Sequence, residues 1–125
     1  MKSGYVDGFV LVVTKKNFAK YKKMASEGGK TWKKFGALAY FECVGEDVNP
    51  GTGGVKMLGF PKLTRLKKGE QVWFSFIVYR SKQHRDSVNK KVMAYYAKKY
   101  PDSMHEMPFD MKRFSYGGFK TVVEQ

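Results

Sequence analysis

The chain carries little of the chemistry that usually marks an enzyme. Among 125 residues there is one cysteine, Cys43, and there are two histidines, His84 and His105. A single cysteine excludes an internal disulfide, and with it the stapled folds of small secreted domains. That fits a reducing compartment, and a cytoplasmic location is expected. No cluster of His or Cys has metal-ligand spacing, so neither a zinc nor a non-heme iron site is expected. No Ser-His-Asp or Cys-His grouping is apparent. Gly51-Thr-Gly-Gly54 lacks the lysine and the following helix of a phosphate-binding loop. With no cofactor motif in the chain, no cofactor is expected. Long apolar runs are missing too, and nothing approaches the ~18–20 residues that span a bilayer. The opening Met-Lys-Ser-Gly-Tyr-Val-Asp has no apolar signal-peptide core, so no membrane association is expected.

Acidic residues are outnumbered. There are 24 Lys and Arg against 11 Asp and Glu, for a formal net charge of +13. That sign favours anionic partners, nucleic acid among them. The distribution argues otherwise. Lys15, Lys16, Lys20, Lys22, Lys23, Lys30, Lys33 and Lys34 fall in one predicted helix. Lysine is also the weaker choice for bidentate phosphate recognition. They read first as a solvated helix face, and a basic nucleic-acid-binding module is the alternative function. The length predicts a single domain over residues 1–125 that buries about two-thirds of its unfolded surface.

What is present is a clear alternation of elements. Tyr5–Thr14 reads as a strand, apolar on both faces. Lys15–Phe35 reads as an amphipathic helix with Phe18, Tyr21, Ala25, Gly28, Trp32 and Phe35 on one stripe. Thr14 is its expected N-cap and Gly36 its stop. Gly28 and Gly29 inside it point to close packing on a sheet. Ala37–Val48 is the second expected strand. Residues 55–66 are ambiguous, with room for a short extra strand. Gln71–Tyr79 is the strongest strand, Lys82–Lys99 a second long helix capped by Ser81, and Lys112–Val123 the last strand. This order predicts an α+β fold, a ferredoxin-like βαββαβ sandwich with both helices on one face of an antiparallel sheet. The other face would leave a large apolar patch on a monomer, which two copies packed sheet to sheet would cover.

Four blocks carry a resemblance. They are Tyr5-Val-Asp-Gly-Phe-Val10, Glu42-Cys-Val-Gly-Glu-Asp-Val48, Phe74–Tyr79 with Ser81-Lys82 and Arg85-Asp86, and Met107-Pro-Phe-Asp110 with Lys112-Arg113 and Tyr116-Gly-Gly-Phe119. Together they resemble a bacterial family of unknown function in the dimeric α+β barrel superfamily. The resemblance runs nearly end to end. It implies a homodimer with a cleft in each subunit between sheet and helices, and it implies no established activity. Met111 stands where the family pattern usually has glycine, Ser115 where an aliphatic residue is usual, and His84 is not part of the pattern.

The expected function is a homodimer that binds a small anionic or aromatic molecule in that cleft, with cofactor-independent acid–base or oxygen chemistry if it is an enzyme. Asp7, Asp110 and Tyr116 are the catalytic candidates. Asp7 shares a strand face with Tyr5, Phe9 and Leu11, where an unpaired carboxylate would have a raised pKa. The structural alternative pairs it with Arg113 or Lys120. Arg113 could clamp a carboxylate or phosphate, or pair with Asp110 to fix the entry to the last strand. Tyr116 could donate to a substrate oxygen. Gly117 and Gly118 suggest a bulge or a close approach by a ligand or another backbone. Arg85 and Asn89, four apart on one helix face near its N-terminus, complete the ligand-binding candidates. Cys43 reads as a packed thiol.

Overall fold

The computed structural model describes residues 2–101 and 107–125. Four strands form one antiparallel sheet: β1 Tyr5–Thr14, β2 Ala39–Val44, β3 Glu70–Tyr79 and β4 Ser115–Lys120. Their order across the sheet is β2-β3-β1-β4, so the two longest and most apolar strands lie at the centre. Two long helices, α1 Phe18–Lys34 and α3 Lys82–Lys99, pack on one face, and a short α2, Phe60–Leu63, lies between β2 and β3. The architecture is α+β, with the strand order and one-sided helices of a ferredoxin-like sandwich.

Register decides which side chains meet. Asp7 lies opposite Ile77 on β3 and Gly118 on β4, and Glu42 lies opposite Ser75. Because strand side chains alternate, Asp7, Leu11, Val13, Glu42, Trp73, Ser75, Ile77 and Tyr79 share the face under the helices. Leu11, Val13 and Trp73 pack against Tyr21 and Ala25 of α1. Ile77 and Tyr79 pack against Val88 and Val92 of α3 and against Ala37.

Several local expectations change. Lys15–Asn17 forms a 3-10 turn before α1, and neither Thr14 nor Asn17 makes a side-chain cap. At the other end Gly36 adopts φ 116°. Gly36 N–H donates to the Lys33 carbonyl and Ala37 N–H to that of Trp32, the paired bonds that end a helix at a left-handed glycine. Residues 55–66 hold α2 rather than a strand, set off by Pro61 in its first turn. The last strand is shorter than expected, because a 3-10 turn over Met111–Arg113 precedes it. Ser81 caps α3, accepting from His84 N–H at 3.0 Å. The α1 glycines answer to packing: a Cβ at Gly29 would lie 2.9 Å from the Tyr40 ring, and one at Gly28 3.2 Å from its hydroxyl.

Among the described residues the opposite face of the sheet is only partly covered, and Val12, Val72 and Val78 are buried there. Phe41, Phe74 and Phe119 stand 47%, 47% and 61% exposed there. Val6, Val10, Phe74, Phe76 and Phe119 line a shallow apolar hollow of about 630 Å³. Cys43, expected to be packed, is exposed. It sits on edge strand β2 opposite Phe74, so it points to this side.

Candidate functional site

The centre of the site is Asp7, a carboxylate 1% exposed near the start of β1. Its cation is Arg85, from the first turns of α3, rather than Arg113 or Lys120. Arg85 Nη1 donates to Asp7 Oδ1 at 2.9 Å and to the Tyr116 hydroxyl at 2.7 Å. Tyr116 in turn donates to Asp7 Oδ1 at 3.2 Å. Arg85 Nη2 reaches the Tyr5 hydroxyl at 3.3 Å, and the guanidinium carbon lies 4.9 Å from the Tyr5 ring centre. On its outer side, Arg85 Nε lies 2.9 Å from Asp86 Oδ1. The cation is thus shared between a buried and an exposed carboxylate.

Burial pushes the Asp7 pKa up, against the opposing pull of Arg85 and of hydrogen bonds from Tyr116, Tyr79 and Asn89. Burial and the Asp7 charge also raise Tyr116, so its phenol stays protonated and can donate. Asn89 lies one turn beyond Arg85 and anchors the far side. Its Oδ1 accepts from Trp32 Nε1 at 3.0 Å and from the Tyr79 hydroxyl at 3.3 Å. The arrangement can hold a proton on either Asp7 or Tyr116, and Tyr116, 50% exposed, is the member that faces outward. Its ring stacks on Phe9, with centres 4.8 Å apart.

Gly117 and Gly118 sit in unbroken pairing with Gly8 and Asp7, so no bulge interrupts β4 there. The close neighbour of Gly118 is a side chain. A Cβ at Gly118 would lie 2.3 Å from the Tyr5 hydroxyl.

Arg113 and Asp110 are gathered elsewhere. Arg113 Nε donates to Asp110 Oδ2 at 2.7 Å, and its two terminal nitrogens donate to Glu70 at 2.8 and 2.6 Å. Nη1 also reaches the Arg65 carbonyl at 3.0 Å. Asp110 further accepts from Lys112 N–H at 2.9 Å, capping the turn before β4. These contacts join the turn before β4 to the start of β3 and the end of α2, and they spend the guanidinium's donors inside the protein. His84 accepts from Arg80 N–H through Nδ1 at 3.0 Å, with burial first and Arg80 second lowering its pKa. His105 lies outside the described residues. Among the described residues no group of three or more His, Cys, Asp or Glu could hold a metal ion, and no helix is long and apolar enough to cross a membrane.

A second polar cluster went unremarked in the sequence. Glu42 accepts from Tyr21 at 2.8 Å and from Ser75 through Oε1, and from Tyr40 at 2.6 Å through Oε2. The one signal for it was Glu42 on the same strand face as Tyr40 and Val44. The hydroxyl donors from α1 and β3 have no spacing that announces them.

A sequence model described as a protein of unknown function, DUF1428, matches residues 4–111. The chain belongs to the DUF1428 family. It is similar to the uncharacterized protein YbaA of Escherichia coli K12, at 38% identity over 121 residues, covering 97% of this chain and 98% of that protein. YbaA of Shigella flexneri matches with the same identity and coverage. The DUF1428 match includes Asp7 and Arg85 but stops before Tyr116. The alignment with YbaA leaves too few residues outside to exclude Tyr116.

Proposed function

We propose that this DUF1428 protein is a homodimer that binds a small anionic or aromatic molecule beside Tyr116 and performs cofactor-independent acid–base chemistry on it. The observation that carries this reading is the Tyr116 hydroxyl. It is held between the Arg85 guanidinium and a carboxylate buried to 1%, with half of the tyrosine surface open. The exposed side of the phenol can meet a substrate oxygen or acidic C–H while Asp7 takes or returns the proton behind it. Arg85 stabilises negative charge that develops there. Dimerisation rests on the sheet face away from the helices, where Phe41, Phe74 and Phe119 form an apolar surface of the kind that soluble monomers seldom leave bare.

The test is ligand-observed NMR with benzoate and an enolisable aryl ketone in deuterated buffer, on wild type and Tyr116→Phe. The expected result is benzoate binding and deuterium uptake beside the carbonyl, both reduced at least about tenfold in the variant, a transition-state loss of ~1.4 kcal/mol. Neither binding nor exchange in the wild type would overturn the reading.

The nucleic-acid alternative draws on the helical layer. Among the described residues no lysine of α1 pairs with a carboxylate. Lys34 and Lys99 place Nζ 5.4 and 5.5 Å from the ring centre of Tyr95. This reading requires binding to single or double strands that falls steeply with salt.

A further inference from the structure

Between α1 and the β2–β3 edge lies a second cavity, of about 290 Å³, lined by Phe18, Lys22, Ser26, Glu42, Val44 and Trp73 among others. That is roughly ten waters' share of liquid volume, at the small end of ligand-sized pockets. Its wall is mostly apolar, and three of the residues that line it carry polar groups of different character. They are a carboxylate, an ammonium and an indole N–H.

The indole is Trp73. It is 3% exposed, and its Nε1 has no hydrogen-bond partner among the described residues. A buried donor left unpaired costs about 1–3 kcal/mol. Trp32, the other tryptophan, has its N–H on Asn89. Among the described residues, then, this indole on a cavity-lining residue is a buried donor still without an acceptor.

The carboxylate is Glu42. Its hydroxyl donors Tyr21, Ser75 and Tyr40 hold it in place but bring no charge. Burial, and then the charge of Glu42, raise both tyrosines, so they remain hydroxyl donors. Among the described residues no cation lies within ion-pair distance of it. Three neutral donors thus surround this partly exposed carboxylate. Lys22, an exposed lysine that also lines the cavity, forms no ion pair among the described residues.

We infer that this cavity binds a small amino-acid-like zwitterion with an apolar side chain. Its ammonium would pair with Glu42, its carboxylate with Lys22 and the Trp73 N–H, and its side chain would lie against Phe18 and Val44. A simple amine would leave the indole and Lys22 unused. A simple carboxylate would meet the charge of Glu42. This site is separate from the one at Asp7 and does not depend on the function proposed there.

The experiment is ligand-observed NMR on the full-length protein with L-phenylalanine and L-leucine, against phenethylamine, which lacks the carboxylate, and 3-phenylpropionate, which lacks the amine. The expected result is saturable binding of the amino acids at roughly millimolar concentration or tighter, with each single-charge analogue at least about tenfold weaker. Glu42→Gln should abolish the preference for the amine. Ser26→Leu, at an exposed position of α1, should fill the cavity and block binding while the far-ultraviolet circular dichroism stays unchanged. Trp73→Phe removes the donor, though with a smaller ring, and should weaken the ligands that carry a carboxylate while leaving phenethylamine unchanged. No amino-acid binding at ~10 mM, equal binding of phenethylamine, or binding unaffected by Ser26→Leu would each overturn the inference.

Discussion

Gly118 and Tyr5 share a space that only one side chain can fill. The Tyr5 ring lies where a Cβ on Gly118 would stand, 2.3 Å from its hydroxyl and 2.8 Å from ring carbon Cε2. That ring supports the Arg85 guanidinium from below. The bare position on the edge strand therefore sets the geometry around Asp7.

Gly118→Ala should then push Tyr5 off its seat and destabilise the fold by about 1–3 kcal/mol, as overpacking does. Gly117→Ala is the internal control. Its Cβ would meet Phe119 at 3.5 Å, an ordinary contact, so its effect should stay within about 0.5 kcal/mol. Urea denaturation of both variants measures the contrast, and equal effects would remove the argument.

Removing the cation should expose the cost of the buried carboxylate. Arg85→Ala leaves Asp7 without its counter-charge and should cost about 3–5 kcal/mol at neutral pH. Asp7 already has a raised pKa in the folded protein, and losing Arg85 raises it further. A raised carboxylate contributes stability that is fully present below its ordinary value of 3.8 and is lost as pH rises through the raised folded value. The gap between variant and wild type should therefore narrow as pH falls from about 7 toward about 4. A gap independent of pH would mean that Arg85 acts through packing alone.

The Arg113 cluster has the opposite sign. Hydrogen bonds from Arg113 hold both Glu70 and Asp110 below their ordinary values of 4.5 and 3.8. The stability they contribute is present above those values and is lost as pH falls through the lowered ones. Wild type should lose stability on acidification in that window, and Glu70→Gln should flatten part of the slope. Chemical denaturation midpoints across that acid range test it. Parallel slopes would contradict the assignment of Arg113 as a structural clamp.

The sheet face away from the helices gives the simplest test. Phe74 is nearly half exposed within the subunit, so Phe74→Glu should fold. If two copies meet there, native mass spectrometry of the wild type should give twice 14.4 kDa, and the variant the single mass. A wild type that stays monomeric at all concentrations would refute the homodimer.

The fold was readable because its signals are local. Valine- and aromatic-rich runs marked β1 and β3, Ser81 and Gly36 marked helix ends, and the doubly apolar strands marked a sheet with apolar side chains on both faces. Asp7, Arg85, Asn89 and Tyr116 were each picked out, but their grouping depended on register. Asp7 faces Gly118 on one side and Ile77 on the other, and nothing in the linear order says that Arg85 rather than Arg113 reaches it. Both arginines lie far from Asp7 in sequence, and only the seating of α3 over β1 separates them. The Glu42 cluster stayed hidden because tyrosine and serine hydroxyls leave no spacing pattern when their partner is on another element. The ambiguity over residues 55–66 is resolved locally, where Gly59 and Pro61 flank Phe60 and a short helix forms.

The attachment of α3 is uneven along its length. The Ser81 cap, the Arg85–Asp7 pair, the Asn89–Trp32 bond and the buried Val88 and Val92 all lie in its first eleven residues or just before them. Past Val92 the half-buried rings of Tyr95 and Tyr96 still pack on Phe35 and Trp32, but Met93 and a lysine-rich end face water. Thermal opening of this helix should therefore begin at Lys99 and travel backwards. Amide hydrogens would record the order in time, with those of the last two turns exchanging first and those around Val88 and Asn89 surviving until the sheet itself opens.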